Sequence, residues 1–145
     1  ERRTLEAMFA GTGTVFTGYL RGDDLADAYA AADIFTFPGE NETFGNVVLE
    51  AMASGVPVLV AAHSGLRDHT HNGRNGFQFE PGNSAQLATL VRWLLPDSRY
   101  RAQLAAGALA YARALTWEAN LDELLSNYEL TIEAHAATAA AVVAV

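Results

Sequence analysis

The stretch between Asp33 and Val58 constrains this chain more than any other. Asp33-Ile-Phe-Thr-Phe-Pro38 is a short β-branched and aromatic run closed by proline, which suits a buried strand (34–37) ending at the mouth of a sheet. Val47, Val48, Leu49, Ala51, Met52 and Ala53 then make an apolar helix that ends at Ser54-Gly55, with Gly55 as the expected C-cap and Pro57 preventing continuation. Residues 57–62 form a continuous apolar strand of the kind a parallel sheet covers on both faces. Strands alternating with helices in this way imply a doubly wound, Rossmann-like α/β domain with helices on both faces of a parallel sheet. In such a domain a ligand binds at the carboxyl ends of the strands.

The start of the helix after Pro38 has the chemistry of a ligand site. Backbone N–H groups in a first turn have no intrahelical acceptor, and the helix dipole adds partial positive charge, so an anion such as phosphate fits there. Gly45 lets a ligand approach the backbone closely, and Thr43 can either cap the helix or donate its hydroxyl to the same anion. Glu50 is a carboxylate inside an otherwise apolar helix, about 7 Å along the axis from Gly45, a distance that suits a ribose beyond a phosphate. A carboxylate offers acceptors only and can hold two vicinal hydroxyls. Glu42, in the loop on the other side of the helix start, is placed to hold a second polyol. A lone glutamate is ordinarily a solvated surface residue; here two of them share one anion site.

The spacing Glu42-x(7)-Glu50 lies within a longer pattern: Pro38, Glu42, Thr43, Phe44, Gly45, Val47, Leu49, Glu50, Ala51, Met52, Ala53, Gly55, Pro57 and Val58. That pattern resembles the signature of family 4 retaining glycosyltransferases of the GT-B fold (glycosyl transferases group 1). The resemblance covers roughly residues 15–128. It implies that the chain is the C-terminal, nucleotide-sugar-binding half of a GT-B enzyme, incomplete at its N-terminal side. Glu42, Thr43, Phe44 and Gly45 would then hold the donor sugar, Gly45, Asn46 and Val47 the phosphates, and Glu50 the ribose. A further family pattern matches Phe16, Gly18, Leu25, Tyr29 and Asp33, and would bring Gly18, Tyr19 and Leu20 near the nucleotide base. The family's Asn-Gly is present as Asn75-Gly76. Its Gly-Gly loop departs: Gly65, Leu66 and Asp68 remain, while the first glycine, the proline and an apolar pair are replaced between Ser64 and Thr70.

Length and composition agree with a single packed domain. At 145 residues, half of them apolar, the chain can bury roughly 70% of its unfolded surface. A formal charge of −8 disfavours a polyanion such as nucleic acid, whereas a small anion needs only local donors. There is no cysteine, which excludes disulfides and thiolate metal sites and permits a reducing cytoplasm. The chain opens at Glu1 on a helix already under way, and reads as a piece of a longer protein. The domain is assigned to residues 1–133, and 134–145 to an alanine-rich tail, a frayed helix or disordered segment too short to span a bilayer.

Elsewhere the expectations are local. Residues 15–17 read as a strand after a helix-to-strand turn holding Gly11 and Gly13. A dinucleotide fingerprint fails there, because Phe16 occupies the third glycine position and the run precedes a strand; this weakens a dehydrogenase reading. Asp23-Asp24 can cap a helix over 25–32 whose Leu25, Ala28, Tyr29 and Ala32 form a core stripe. Residues 62–74 read as a loop; His63, His69 and His71 lie in it at irregular spacing without a supporting carboxylate cluster, which argues against a metal site. Residues 77–79 read as a strand with alternating exposure. Helices follow with Leu87, Leu90, Val91 and Leu94 on one face, then Tyr100, Leu104, Ala108, Tyr111 and Leu115, then Trp117, Leu121, Leu124, Leu125 and Tyr128; their aromatics read as core. By resemblance the Thr116-Trp117 step opens a closing helix that crosses to the N-terminal domain.

The resemblance thus implies transfer of a sugar from a nucleotide-diphosphate donor, UDP- or GDP-linked, to an acceptor hydroxyl with retained configuration. No cofactor or bound metal is expected. The acceptor, a sugar, lipid or small molecule, would be held by an N-terminal domain absent from this chain, and the family's Arg and Lys that meet the donor diphosphate would come from a segment upstream of Glu1, so the chain alone is expected to be inactive. A cytoplasmic location follows, with peripheral association of the full protein at the inner face of the membrane left open. The alternative is a non-catalytic nucleotide-sugar-binding module or an inactive remnant.

Overall fold

A computed structural model describes residues 2–39 and 45–143, with side chains except those of Ser64 and 136–143. In chain order the elements are α1 (Arg2–Met8), α2 (Asp23–Ala30), β1 (Phe35–Phe37), α3 (Asn46–Ala53), β2 (Val58–Ala61), α4 (Ser64–His69), β3 (Gly76–Phe79), α5 (Ser84–Leu94), α6 (Ser98–Ala114) and α7 (Trp117–Val143). The three strands form one parallel sheet in the order β1-β2-β3, with Phe35 opposite Val58 and Val58 opposite Gly76.

Strand β2 is the centre, and every residue in it is fully buried. Val58 and Val60 face one layer, packed with Val48, Ala51 and Met52 of α3, Leu66 of α4 and Ala108 of α6. Leu59 and Ala61 face the other, packed with Phe79, Leu94 and Leu104 and flanked by Leu87, Leu90 and Val91. The period of two along β2 thus sends successive side chains into two separate cores. This is the expected α/β architecture with helices on both faces.

The helix punctuation follows local chemistry. Asn83 and Asp97 cap α5 and α6, accepting from the N–H of Gln86 and of Tyr100, each at 2.9 Å. Thr116 Oγ1 accepts from Ala119 N at 3.1 Å at the start of α7. Helix α3 ends one residue before the expected position: Ser54 is the C-cap, and Gly55 follows it at φ 72°. Gly55 N donates to the Met52 carbonyl and Val56 N to the Ala51 carbonyl, both at 3.0 Å. That pair of bonds is a Schellman closure, and its apolar contact is supplied by buried Val56 and Ala51.

Several expectations change. Residues 15–17 form no strand; Val15 is 79% exposed, because no described strand lies beside this segment to complete a ladder. Asp23 and Asp24 do not cap α2 but occupy its first turn behind Gly22, where they act on the helix dipole. The segment 62–74 contains α4. Strand β3 does not alternate, since Gly76 and Phe79 are buried and Phe77 and Gln78 half-buried, as its covered position requires. Trp117, Leu121, Leu124, Leu125 and Tyr128 are 46–81% exposed and are not core of this chain. Helix α7 runs without a break across residue 134 to Val143. Among the described residues no helix is long and apolar enough to cross a membrane.

Three family-pattern residues, Asp33, Asn75 and Gly76, have partners within the fold. Asn75 is buried and fully engaged: Oδ1 accepts from His71 N at 2.8 Å and Nδ2 donates to the His69 carbonyl at 2.9 Å. A Cβ on Gly76 would lie 2.1 Å from the Val58 carbonyl, so only glycine lets β3 meet β2 at that register. Asp33 Oδ1 accepts from the Arg101 guanidinium at 2.9 Å, while the same guanidinium donates to the carbonyls of Leu94 and Leu95 at the end of α5.

Gly107 of α6 is equally constrained, because its Cβ would lie 2.0 Å from the Arg74 carbonyl. Gly107→Ala is therefore expected to destabilise the fold by about 1–3 kcal/mol in urea denaturation, despite the higher helix propensity of alanine. The opposite sign is expected at Thr70, whose buried hydroxyl has no hydrogen-bond partner among the described residues. Thr70→Val should raise stability by roughly 1 kcal/mol by removing an unsatisfied polar group at nearly constant volume; an unchanged midpoint in the same assay would refute it.

Candidate functional site

Gly45 is the N-cap of α3 and adopts the left-handed conformation, φ 77° and ψ 31°. A Cβ there would lie 2.5 Å from Leu66 Cδ2, so the glycine serves both a turn and a close approach by α4. The Gly45 carbonyl is the first acceptor of the helical ladder, taking Val48 N at 2.9 Å and Leu49 N at 3.1 Å. The N–H groups of Asn46 and Val47 precede that acceptor and have no partner within the helix. Since β1 leads into α3 and β2 into α4, both helix starts lie beyond the carboxyl ends of the strands, where an α/β sheet receives ligands.

Burial of Val48, Ala51 and Met52 against the sheet fixes the rotation of α3. Asn46, Glu50 and Ala53, at helical spacing on another face, share a cavity of about 290 Å³ with Leu49, Ala112 and Leu115. Asn46 and Glu50 are exposed, whereas Val47 is half-buried against the core. A single surface thus runs from the helix start to the carboxylate one turn on, about 6 Å along the axis.

On its other side Glu50 lines a second cavity of about 230 Å³ with Gly22, Leu25, Ala26, Tyr29, Ala53 and Ser54. Tyr29 donates its hydroxyl to Glu50 Oε2 at 3.1 Å. Burial, and then the bonded and charged Glu50 carboxylate, push the Tyr29 hydroxyl up to about 12. It therefore stays protonated, and a donor, across any physiological pH.

The expected base-proximal residues stand apart. Gly18, at φ 73°, lines a different cavity with Arg2, Val15, Phe16 and Thr17. Tyr19 is wholly exposed and Leu20 half-buried. Glu42, Thr43 and Phe44 lie outside the described residues. Among the three histidines of the next segment, His69 Nδ1 meets the Tyr111 hydroxyl at 3.0 Å and the His71 ring packs on the same tyrosine. Among the described residues no group of three His, Asp or Glu side chains is placed to hold a metal ion.

The sequence reading missed the bond from Tyr29 to Glu50, having assigned Tyr29 to the core stripe of α2. Its ring does pack there, 5.6 Å from that of Phe35, but the hydroxyl reaches a residue 21 positions away. The contact of Leu66 with Gly45 was equally invisible.

Residues 2–111 match the family described as Glycosyl transferases group 1. The chain belongs to that family. It is 41% identical over 121 residues to sulfoquinovosyl transferase SQD2 of Arabidopsis thaliana, covering 81% of this chain and 24% of that protein. It is 44% identical over 119 residues to GDP-mannose-dependent alpha-mannosyltransferase of Mycolicibacterium smegmatis, covering 81% of this chain and 31% of that protein. The chain thus spans less than a third of either relative. Among solved structures, Anabaena HepE in complex with UDP superposes with a TM-score of 0.75 at 26% identity, over 90% of this chain and 36% of that one. The C-terminal domain of the group 1 glycosyl transferase LpcC of Francisella tularensis does so with a TM-score of 0.70 at 26% identity, over 79% of this chain and 61% of that one. The fold is that of a GT-B glycosyltransferase C-terminal domain.

Gly45→Ala tests the local architecture. Forcing a side chain into φ 77° against Leu66 is expected to cost at least about 1–2 kcal/mol of folding stability, measured by chemical denaturation.

Proposed function

We propose that this chain is the nucleotide-sugar-binding domain of a family 4 retaining glycosyltransferase that moves a sugar from a UDP- or GDP-linked donor to an acceptor hydroxyl. The observation that carries the reading is the shared surface of the α3 start and Glu50, reached by Asn46 and Glu50 in one cavity. Backbone N–H groups at Asn46 and Val47 suit the donor phosphates, and the carboxylate one turn on suits the ribose hydroxyls. Glu42, Thr43 and Phe44, with Gly45, are assigned to the donor sugar by their place in the family pattern, and Gly18, Tyr19 and Leu20 to the neighbourhood of the base. UDP bound to HepE and the GDP-mannose dependence of the mycobacterial relative support a nucleotide-diphosphate donor. The naming of relatives as transferases supports a catalytic protein over a non-catalytic module or remnant.

The transfer needs no cofactor or resident metal in this reading, because phosphate charge is met by helix amides and, by the family resemblance, by an Arg and a Lys outside this chain. The N-terminal domain of the whole protein would carry the sugar, lipid or small-molecule acceptor. The exposed apolar side chains of α7, from Trp117 to Ile132, would pack against it. A cytoplasmic enzyme, with the full protein resting at the inner membrane face where its acceptor is a lipid, completes the proposal.

The chain of 145 residues is expected to show no multiple-turnover transfer by itself with a panel of nucleotide sugars. Two phosphates would be met only by helix-terminal partial charges worth about 0.3–1 kcal/mol each. The full-length protein containing it should transfer sugar with the anomeric configuration retained, as read by proton NMR of the product. Turnover by the isolated chain, or an inverted product, would overturn the corresponding part of the proposal.

A further inference from the structure

Glu50 projects from the solvent side of α3 and is exposed. An exposed glutamate samples many rotamers, and a ligand that needs its carboxylate in one place must bear the cost of ordering it. Here one carboxylate oxygen is already taken: the Tyr29 hydroxyl donates to Oε2 at 3.1 Å. Tyr29 is itself held, half-buried in α2 with its ring packed on Phe35 of β1. The hydroxyl is therefore anchored to the sheet, and through it the carboxylate is anchored as well. The two residues face one cavity on the α2 side. Asn46 and Glu50 face another that runs to the α3 start.

We infer that Tyr29 is a positioning residue: its hydroxyl fixes the Glu50 carboxylate so that the second oxygen is presented to the vicinal hydroxyls of a nucleotide ribose. The inference rests on the proposed function, since it assumes that Glu50 meets the ribose. The bond is charge-assisted, which makes it directional as well as stronger than a neutral pair. A phenylalanine in its place would keep the packing on Phe35 and lose only the anchor. Tyr29 would not touch the ligand, so its contribution must pass entirely through Glu50.

The test uses the full-length protein that contains this chain, titrated calorimetrically with UDP, with GDP, and with the 2′,3′-dideoxy form of whichever binds. Tyr29→Phe is expected to weaken the ribonucleotide roughly 5- to 10-fold and to leave the dideoxynucleotide unchanged. Glu50→Gln should weaken the ribonucleotide at least as much, and adding Tyr29→Phe to it should have no further effect, because both act on one contact. Tyr29→Phe with wild-type affinity while Glu50→Gln is impaired would overturn the positioning role and leave the ribose assignment standing. Equal loss on the ribo and dideoxy ligands would also overturn it, as a general packing effect. An unaffected Glu50→Gln protein, or no binding of either nucleotide, would instead remove the ribose assignment on which the inference stands.

Discussion

Everything in this domain depends on burying one strand from both sides. The residues of β2 are fully buried, and they divide by parity between the core under α3 and the core under α5. A four-residue strand has little area of its own, so its stability comes from the two layers that cover it. Covering β2 dictates the rotation of α3, because Val48, Ala51 and Met52 must face Val58 and Val60. Once that face is committed, Asn46 and Glu50 have no choice but to face outward. The proposed ligand surface is thus what remains of a helix whose other face the sheet requires.

The length and tilt of α3 are clamped at both ends by glycine. Gly45 turns the chain at positive φ and admits Leu66 beside it, while Gly55 closes the other end in a Schellman motif sealed by Val56. Between them lie two turns of helix, too short to be stable alone. The amides at the start of α3 are consequently held in place by tertiary packing, which is the condition for a preorganised anion site. The same packing carries α4 against the helix start, where Leu66 leaves no room for a Cβ on Gly45.

Features whose cause is local were legible in the sequence. The apolar run of β2, the glycine and proline after α3, and the anomaly of Glu50 in an apolar helix all follow from residues within a few positions of one another. What escaped was set by distant neighbours. Residues 15–17 have strand composition yet make no strand, because a strand exists only beside another. The segment after β2 has no apolar periodicity, and Ser64–His69 becomes helical by packing Leu66 under Gly45. Phe77 alternates with Gln78 in sequence but not in exposure, since both faces of its sheet are covered. The apolar stripe of α7 was read as core, but a stripe reveals only that a face seeks burial and not which surface will cover it. Tyr29 looked like packing and is packing as far as its ring; the hydroxyl's partner lies on another helix.

The family pattern itself mixes two kinds of residue, and the structure separates them. Asn75 and Gly76 have complete structural explanations, a saturated buried amide and a carbonyl that tolerates no Cβ, and Asp33 is tied to the half-covered Arg101 guanidinium that also closes the end of α5. Asn75 and Gly76 would be demanded by this sheet whatever the domain bound. Glu50 has no such explanation. It fills no core and forms no described ion pair, and an alanine would serve the helix at least as well by propensity. Its described side-chain bond is to Tyr29, a bond that holds a carboxylate still without burying it. A fold gains little by immobilising an exposed charge, whereas a ligand gains a receptor that needs no ordering. That asymmetry is the physical ground for proposing Glu50 as a ligand contact and for assigning the stability of the domain to the residues around it.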